Sequence, residues 1–185
     1  MTVDEFAYIA AALQTAFPWA KLFPNEQAMD IWFRRLEDLP GNVVTAVVNR
    51  WLETSREPPT IADIRSSADL VINGEIPDWG AGWEQVRKAI GRYGTDRKAA
   101  ALATMDELTR QTVERLGWQV ICESENADVL RANFRMCYET LARRRREDRL
   151  LTGETRDGIA QIQGRGPSRT QSLVSGLADR LKLDE

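Results

Sequence analysis

Apolar residues recur along the first third of the chain at steps of three and four, the period of helices that bury one face. Thr2 followed by Glu5 predicts a capping box, and Phe6, Ile9, Ala10, Leu13 and Phe17 mark the apolar face of a helix that Pro18 ends. Asn25 predicts the cap of a second helix carrying Ala28, Met29, Trp32, Phe33 and Leu36, broken at Leu39-Pro40-Gly41. A third follows with Val43, Val44, Val47, Val48, Trp51 and Leu52, a face wide enough to lie between the first two. Glu57-Pro58-Pro59 forces an extended turn, and Thr60 with Asp63 repeats the capping signature for a fourth helix bearing Ile61, Ile64, Ala68 and Val71. Residues 1–72 therefore read as one small helical bundle.

Asn73 to Gly82 is rich in Gly and Pro and predicts a linker, with Trp79 free to pack on either side. A second apolar pattern then runs over residues 83–151. Trp83, Val86 and Ile90 open it; Leu108, Thr112, Val113 and Leu116 give a helix stopped by Gly117. Ser124-Glu125 is expected to start the longest helix, lined by Leu130, Phe134, Cys137 or Tyr138, and Leu141. From Thr152 onward the sequence is polar and glycine-containing, with too little apolar area to offset chain entropy, and a mobile tail is expected. Within it, residues 171–183 carry a short apolar stripe at Leu173, Val174, Leu177 and Leu181, the form of a segment that folds against a partner. No segment alternates with period two, so the expected fold class is all-α: two helical bundles, a linker and a flexible C-terminal tail.

Composition narrows the chemistry. With 43% hydrophobic and 29% charged positions over 185 residues, the chain can build folded cores. No apolar run approaches the roughly 18 to 20 residues a membrane span needs, and the N-terminal MTVDEFAYIAA carries acids where a secretion signal carries cations, so a cytoplasmic location is expected. The chain holds no histidine and two cysteines, Cys122 and Cys137, which do not make a tetrahedral zinc site by themselves; buried thiols are the plain reading. The phosphate-binding pattern G-x-x-x-x-G-K-[ST] does not occur. Carboxylate neighbours such as Asp4-Glu5, Glu37-Asp38 and Asp106-Glu107 point apart on a helix, which argues against a two-carboxylate hydrolase. Binding is expected rather than catalysis, with no cofactor and no metal.

The loudest charge signal is Arg143, Arg144, Arg145 and Arg146, followed by Glu147, Asp148 and Arg149. Such a run either grips a nucleic-acid backbone or an acidic partner, or sits solvated at a helix end whose dipole it favours. Residues 1–72 hold six Lys/Arg against ten Asp/Glu, a poor balance for nonspecific duplex binding. Trp32, Trp51, Trp83 and Trp118 fall on apolar helix faces and read as core; Trp19, in a loop, reads as exposed. Tyr93 beside Arg92, in a Gly-flanked segment, is a further contact candidate.

The order Phe17-Pro18, Trp32, Leu36, Pro40, Trp51 and Pro59-Thr60-Ile61-Ala62-Asp63-Ile64 resembles the phage-encoded loader and inhibitor proteins of the hexameric replicative helicase. Trp83 to Val86, Leu116-Gly117-Trp118 and Ser124 to Phe134 resemble the portion that follows that module in phage replication proteins. The resemblance implies an adaptor without catalytic residues, in the cytoplasm of a bacterial host, that binds and restrains the helicase and delivers it to an origin through a phage origin-binding initiator. Single-stranded DNA is retained as a further candidate partner. Arg143, Arg144, Arg145, Arg146 and Arg149, with Leu173, Val174, Leu177 and Leu181, are the candidate contacts. The rival reading is a DNA-binding helical module, such as a small terminase subunit or a helix-turn-helix regulator, built on Val43 to Ile64.

Overall fold

The computed structural model describes residues 1–162 and 164, and among them helix is the only regular structure, in keeping with an all-α chain. The chain order is α1 (Val3–Ala16), a 3-10 turn (Pro18–Ala20), α2 (Glu26–Leu36), α3 (Gly41–Thr54), α4 (Ile61–Asn73), α5 (Trp79–Tyr93), α6 (Lys98–Leu102), α7 (Glu107–Leu116), α8 (Trp118–Glu123) and α9 (Ala127–Leu150). A last described helix, α10, spans residues 153–162. Two compact units result: residues 1–72 with the described residues from 150 onward, and residues 73–149.

Local chemistry sets the helix starts of the first unit. The Thr2 hydroxyl accepts from the Glu5 amide at 3.2 Å while the Glu5 carboxylate accepts from the Thr2 amide at 2.8 Å, closing the capping box of α1. Asn25 accepts from the Ala28 amide at 2.8 Å and opens α2. At α4 the Asp63 carboxylate receives both the amide and the hydroxyl of Thr60, at 2.8 and 2.7 Å. Those hydrogen bonds hold the Asp63 carboxyl below its usual range against a small opposing effect of burial. α1 packs on α2 and α3. Phe6, Ile9, Leu13, Leu36, Val44, Val48 and Ile64 are 0–3% exposed and form the centre of one core. Each such aliphatic or aromatic side chain contributes on the order of 1.5–3 kcal/mol by leaving water.

Gly41 is fixed by a close approach: a methyl group there would lie 2.3–2.6 Å from the Glu5 carboxylate, so the box of α1 and the start of α3 can share that space only if position 41 has no side chain. Val71, expected on the inner face of α4, is 58% exposed instead. The stripe that α4 buries is Ile64, Arg65, Ala68 and Asp69, turned toward a polar neighbour and away from Val71.

Past Leu150 the chain stays in order for longer than its composition suggests. Thr152 is buried, and its hydroxyl accepts from the Thr155 amide at 3.2 Å, capping α10 where a mobile segment is expected. Arg35 on α2 donates to the Thr155 hydroxyl at 3.1 Å. The candidate residues Leu173, Val174, Leu177 and Leu181, with the rest of 165–185, lie outside the described residues.

In the second unit α5 packs on α6 and α7, and α7 on α8. α5 starts at Trp79, capped by the Asp78 carboxylate, so the last four residues of the Gly/Pro segment are helical. Asp106 caps α7, accepting from the Thr109 amide at 2.8 Å, and exchanges a second pair of bonds with the Gln85 side chain at 2.6 and 2.8 Å. α9 starts at Ala127, two residues beyond the expected Ser124-Glu125, because Asn126 supplies the cap by accepting from the Val129 amide at 3.0 Å. Its inner face is Leu130, Phe134 and Tyr138; Cys137 and Cys122 are half-buried free thiols. Burial pushes both thiols above their ordinary pKa. Gly82 lets α5 approach closely, since a methyl group there would meet the Tyr138 ring at 2.7 Å and the Thr109 hydroxyl at 2.8 Å.

Candidate partner-binding surfaces

The first unit carries an apolar groove between α3 and α4, with a volume of about 480 Å³ and walls formed by Val47, Arg50, Trp51 and Thr54 on one side and Leu70 and Val71 on the other. The Trp51 ring is fixed there because its indole N–H donates to the Glu57 carbonyl at 2.8 Å. Leu70, Val71 and Ile72 are 53, 58 and 48% exposed, three consecutive aliphatic side chains facing water. Contiguous exposed apolar surface of this kind marks interaction sites more often than a scattered exposed leucine does. Tryptophan and arginine in one groove also match the composition of binding hot spots.

The first unit also holds a buried cation whose role sequence reading passes over. Arg65 is 7% exposed and grips the Asp38 carboxylate with two bonds, at 2.7 and 2.9 Å. It also donates to the Arg35 carbonyl at 2.6 Å and to the Leu150 carbonyl at 2.5 Å. One planar guanidinium thereby satisfies the end of α2, the loop after it and Leu150. Arg65 is the one Lys or Arg on α4. Held in this way, it offers no contact to a phosphate, which removes the cation a helix-turn-helix reading would require at this position.

The arginine run lies on α9. Arg143, Arg144 and Arg146 are exposed, while Arg145 and Arg149 are half-buried. Arg143 and Arg146 line a concavity of about 360 Å³ together with Pro77, Asp78, Trp79 and Ala142. Two further arginines, absent from the sequence expectation, extend the surface: the guanidinium carbons of Arg131 and Arg135 lie 5.1 and 5.4 Å from the centre of the Trp79 ring. Their signal in sequence is the four-residue step from Arg131 to Arg135 on α9; their relation to Trp79, more than 50 positions away, is visible only in the fold.

The remaining candidates have local roles. Trp19 is 64% exposed and stands edge-on to Phe17, with ring centres 5.6 Å apart. Tyr93 ends α5 with Arg92 and Arg97 over its ring, at 5.5 and 5.6 Å. Trp118 is buried, whereas Trp32, Trp51 and Trp83 pack on the two cores half-exposed. Burial opposes the ionisation of Asp106, but the hydrogen bonds from Thr109 and Gln85 outweigh it and hold the carboxyl below its ordinary value. Burial next to Asp106 and Asp78 pushes Tyr138 up to about 12, and its hydroxyl donates to the Pro77 carbonyl at 3.1 Å. Glu5, Asp38, Asp63 and Asp106 are thus all engaged in caps or ion pairs.

With α1, α2, α3 and the start of α4 in place, comparison with known families becomes specific. Residues 1–65 match the family model for the N-terminal domain of the gp39 protein. That domain is the one found in the phage helicase loader and inhibitor, as the order of Trp, Pro and capping residues suggests. The gp39-type match contains the whole α3 wall of the apolar groove and ends at Arg65 itself, at the buried clamp. The match covers residues 1–65 alone and likens this part of the first unit to the N-terminal domain of that phage helicase-associated family. No curated protein and no solved structure matches the chain. No helix among the described residues is long and apolar enough to cross a membrane.

Proposed function

We propose that this chain is a non-enzymatic adaptor that binds the hexameric replicative helicase, holds its activity in check and delivers it to an origin together with a phage origin-binding initiator. The observation that carries this reading is the gp39-type match over residues 1–65, which spans most of the bundle that displays the α3/α4 groove. The groove is the helicase contact in this reading. An apolar strip lined by Trp51, Leu70 and Val71 suits the apolar face of a helix on the ring, docked as amphipathic helices dock into grooves.

The chain has no P-loop, so the adaptor supplies no ATP-driven stroke of its own. It acts by binding one state of the ring more tightly than another, and its effect is bounded by that difference in affinity. Co-elution of the full chain with a phage or host hexameric helicase in size-exclusion chromatography tests this, with ATP hydrolysis measured in parallel. The expected result is a complex with lowered ATP turnover, and Leu70→Asp with Val71→Asp should weaken it by about tenfold or more, the loss typical of a hot-spot contact. Absence of a complex together with unchanged hydrolysis would sink the proposal.

A further inference from the structure

We propose that the face of α9 that meets Trp79 binds single-stranded nucleic acid, a second contact separate from the α3/α4 groove. The strip is built at helical spacing. Arg131, Arg135, Ala142 and Arg146 recur at steps of four, seven and four, which keeps them on one face over roughly 22 Å at 1.5 Å per residue. Trp79, at the start of α5, lies against this face with the guanidiniums of Arg131 and Arg135 over its ring at 5.1 and 5.4 Å. Further along, exposed Arg143 and Arg146 line the same concavity as Trp79, floored by Ala142 and Tyr138.

The acids lining the concavity are Asp78 and Glu139, and both have prior partners; Asp128, three residues before Arg131, is a further exposed acid at the start of the strip. The Asp78 carboxylate accepts from the Gly80 and Ala81 amides, and Glu139 pairs with Arg135 at 2.8 Å. Four guanidiniums therefore face the two engaged carboxylates and Asp128, and the surplus is positive.

The chemistry selects the occupant. An acidic protein surface would pair with the same arginines and pack on the indole as at a hot spot; what favours a strand is the alternation of guanidiniums and indole along one helix face. Bases stack on aromatic rings and on guanidinium planes alike, and phosphates pair with the arginines between, so the combination suits an unpaired strand. The concavity, about 360 Å³, is of small-ligand size.

Fluorescence anisotropy of an end-labelled oligothymidylate titrated with the full chain tests this at salt concentrations from about 50 to 200 mM, beside a duplex of equal length. Micromolar binding is expected, with the logarithm of the affinity falling against the logarithm of salt at a slope of about −2 to −3, near −0.7 for each of four phosphates. Trp79→Ala should weaken binding about tenfold, the loss of one stacking contact. Because that indole also packs on the core of its unit, Arg143→Ala with Arg146→Ala serves as the second variant; both side chains are exposed, and the pair should make the slope shallower by about 1.4. The proposal is overturned by no binding at the lowest salt, by either variant leaving affinity and slope unchanged, or by duplex binding as tightly as the single strand. It is equally overturned if the arginine pair abolishes co-elution with the helicase while oligonucleotide binding persists, since the strip would then serve an acidic protein. Co-elution preserved in the arginine variant keeps this result separate from the fate of the helicase reading.

Discussion

At the scale of single residues, Arg65 has the largest consequence for its surroundings. Its side chain is 8% exposed and that of its partner Asp38 is 37% exposed, so the pair is desolvated on one side only. Replacing Arg65 by Met keeps much of the apolar stem but leaves the Asp38 carboxylate and the Arg35 and Leu150 carbonyls without this donor. A cost of about 2–4 kcal/mol is expected, below the upper end for fully buried pairs because Asp38 retains water. Asp38→Asn should cost about 1 kcal/mol, since the amide oxygen still accepts from the guanidinium. Urea unfolding of the two variants beside the parent measures both; equal losses would show that the carbonyl bonds of Arg65 carry no weight. Nothing in the sequence distinguishes Arg65 from a surface arginine, because Asp38 is 27 positions away and Leu150 is 85. Long-range pairing of this kind has no periodic signature. The same holds for Trp79 and its two arginines.

At the scale of elements, helix starts are legible in the sequence because caps are local. Thr2 with Glu5, Asn25, and Thr60 with Asp63 each act within three residues, and the fold uses all three as the spacing predicts. The start of α9 departs from expectation because Ser124-Glu125 offers a plausible cap two residues before Asn126, and spacing alone does not rank the two. α10 escapes sequence reading for a different reason. Its sequence is poor in apolar residues, and its order comes from the Thr152 cap and from Arg35 across the unit, not from its own pattern. Caps also set the response to acid. Asp63 and Asp106 both have carboxyls held below their ordinary value of 3.8 in the folded chain. A depressed carboxyl stabilises the fold above its unfolded pKa, and that stability is lost as pH falls through the folded value. Stability should therefore be level above about pH 5 and decline below about pH 4. Asp106→Asn should lower stability at neutral pH and flatten part of that decline, as followed by thermal melts from neutral pH down to about pH 2. A variant with the parental acid profile would show that the cap of α7 makes no ionic contribution.

At the scale of the molecule, the division into two units follows from where apolar faces find partners. The core built on Phe6, Leu36, Val48 and Ile64 and the core built on Val86, Val113, Phe134 and Tyr138 share no residue. Each unit has its own close glycine contact, Gly41 against the exposed Glu5 carboxylate in the first and Gly82 against the buried Tyr138 ring in the second. A substitution in one core should therefore act on that unit alone. Gly82→Val adds three carbons where even one methyl group would sit 2.7 Å from the Tyr138 ring, and a loss of about 1–3 kcal/mol from overpacking is expected in residues 73–149. Val48→Ala, at a site 2% exposed in the other core, should cost on the order of 2–3 kcal/mol there. Native-state hydrogen exchange resolves the two, because amides report the opening free energy of their own cooperative unit. Gly82→Val should speed exchange in α5, α7 and α9 and leave α1 to α3 at parental rates, with the reverse for Val48→Ala. Uniform acceleration across all these helices would mean that the chain unfolds as a single cooperative body and that the partition of its cores has no thermodynamic counterpart.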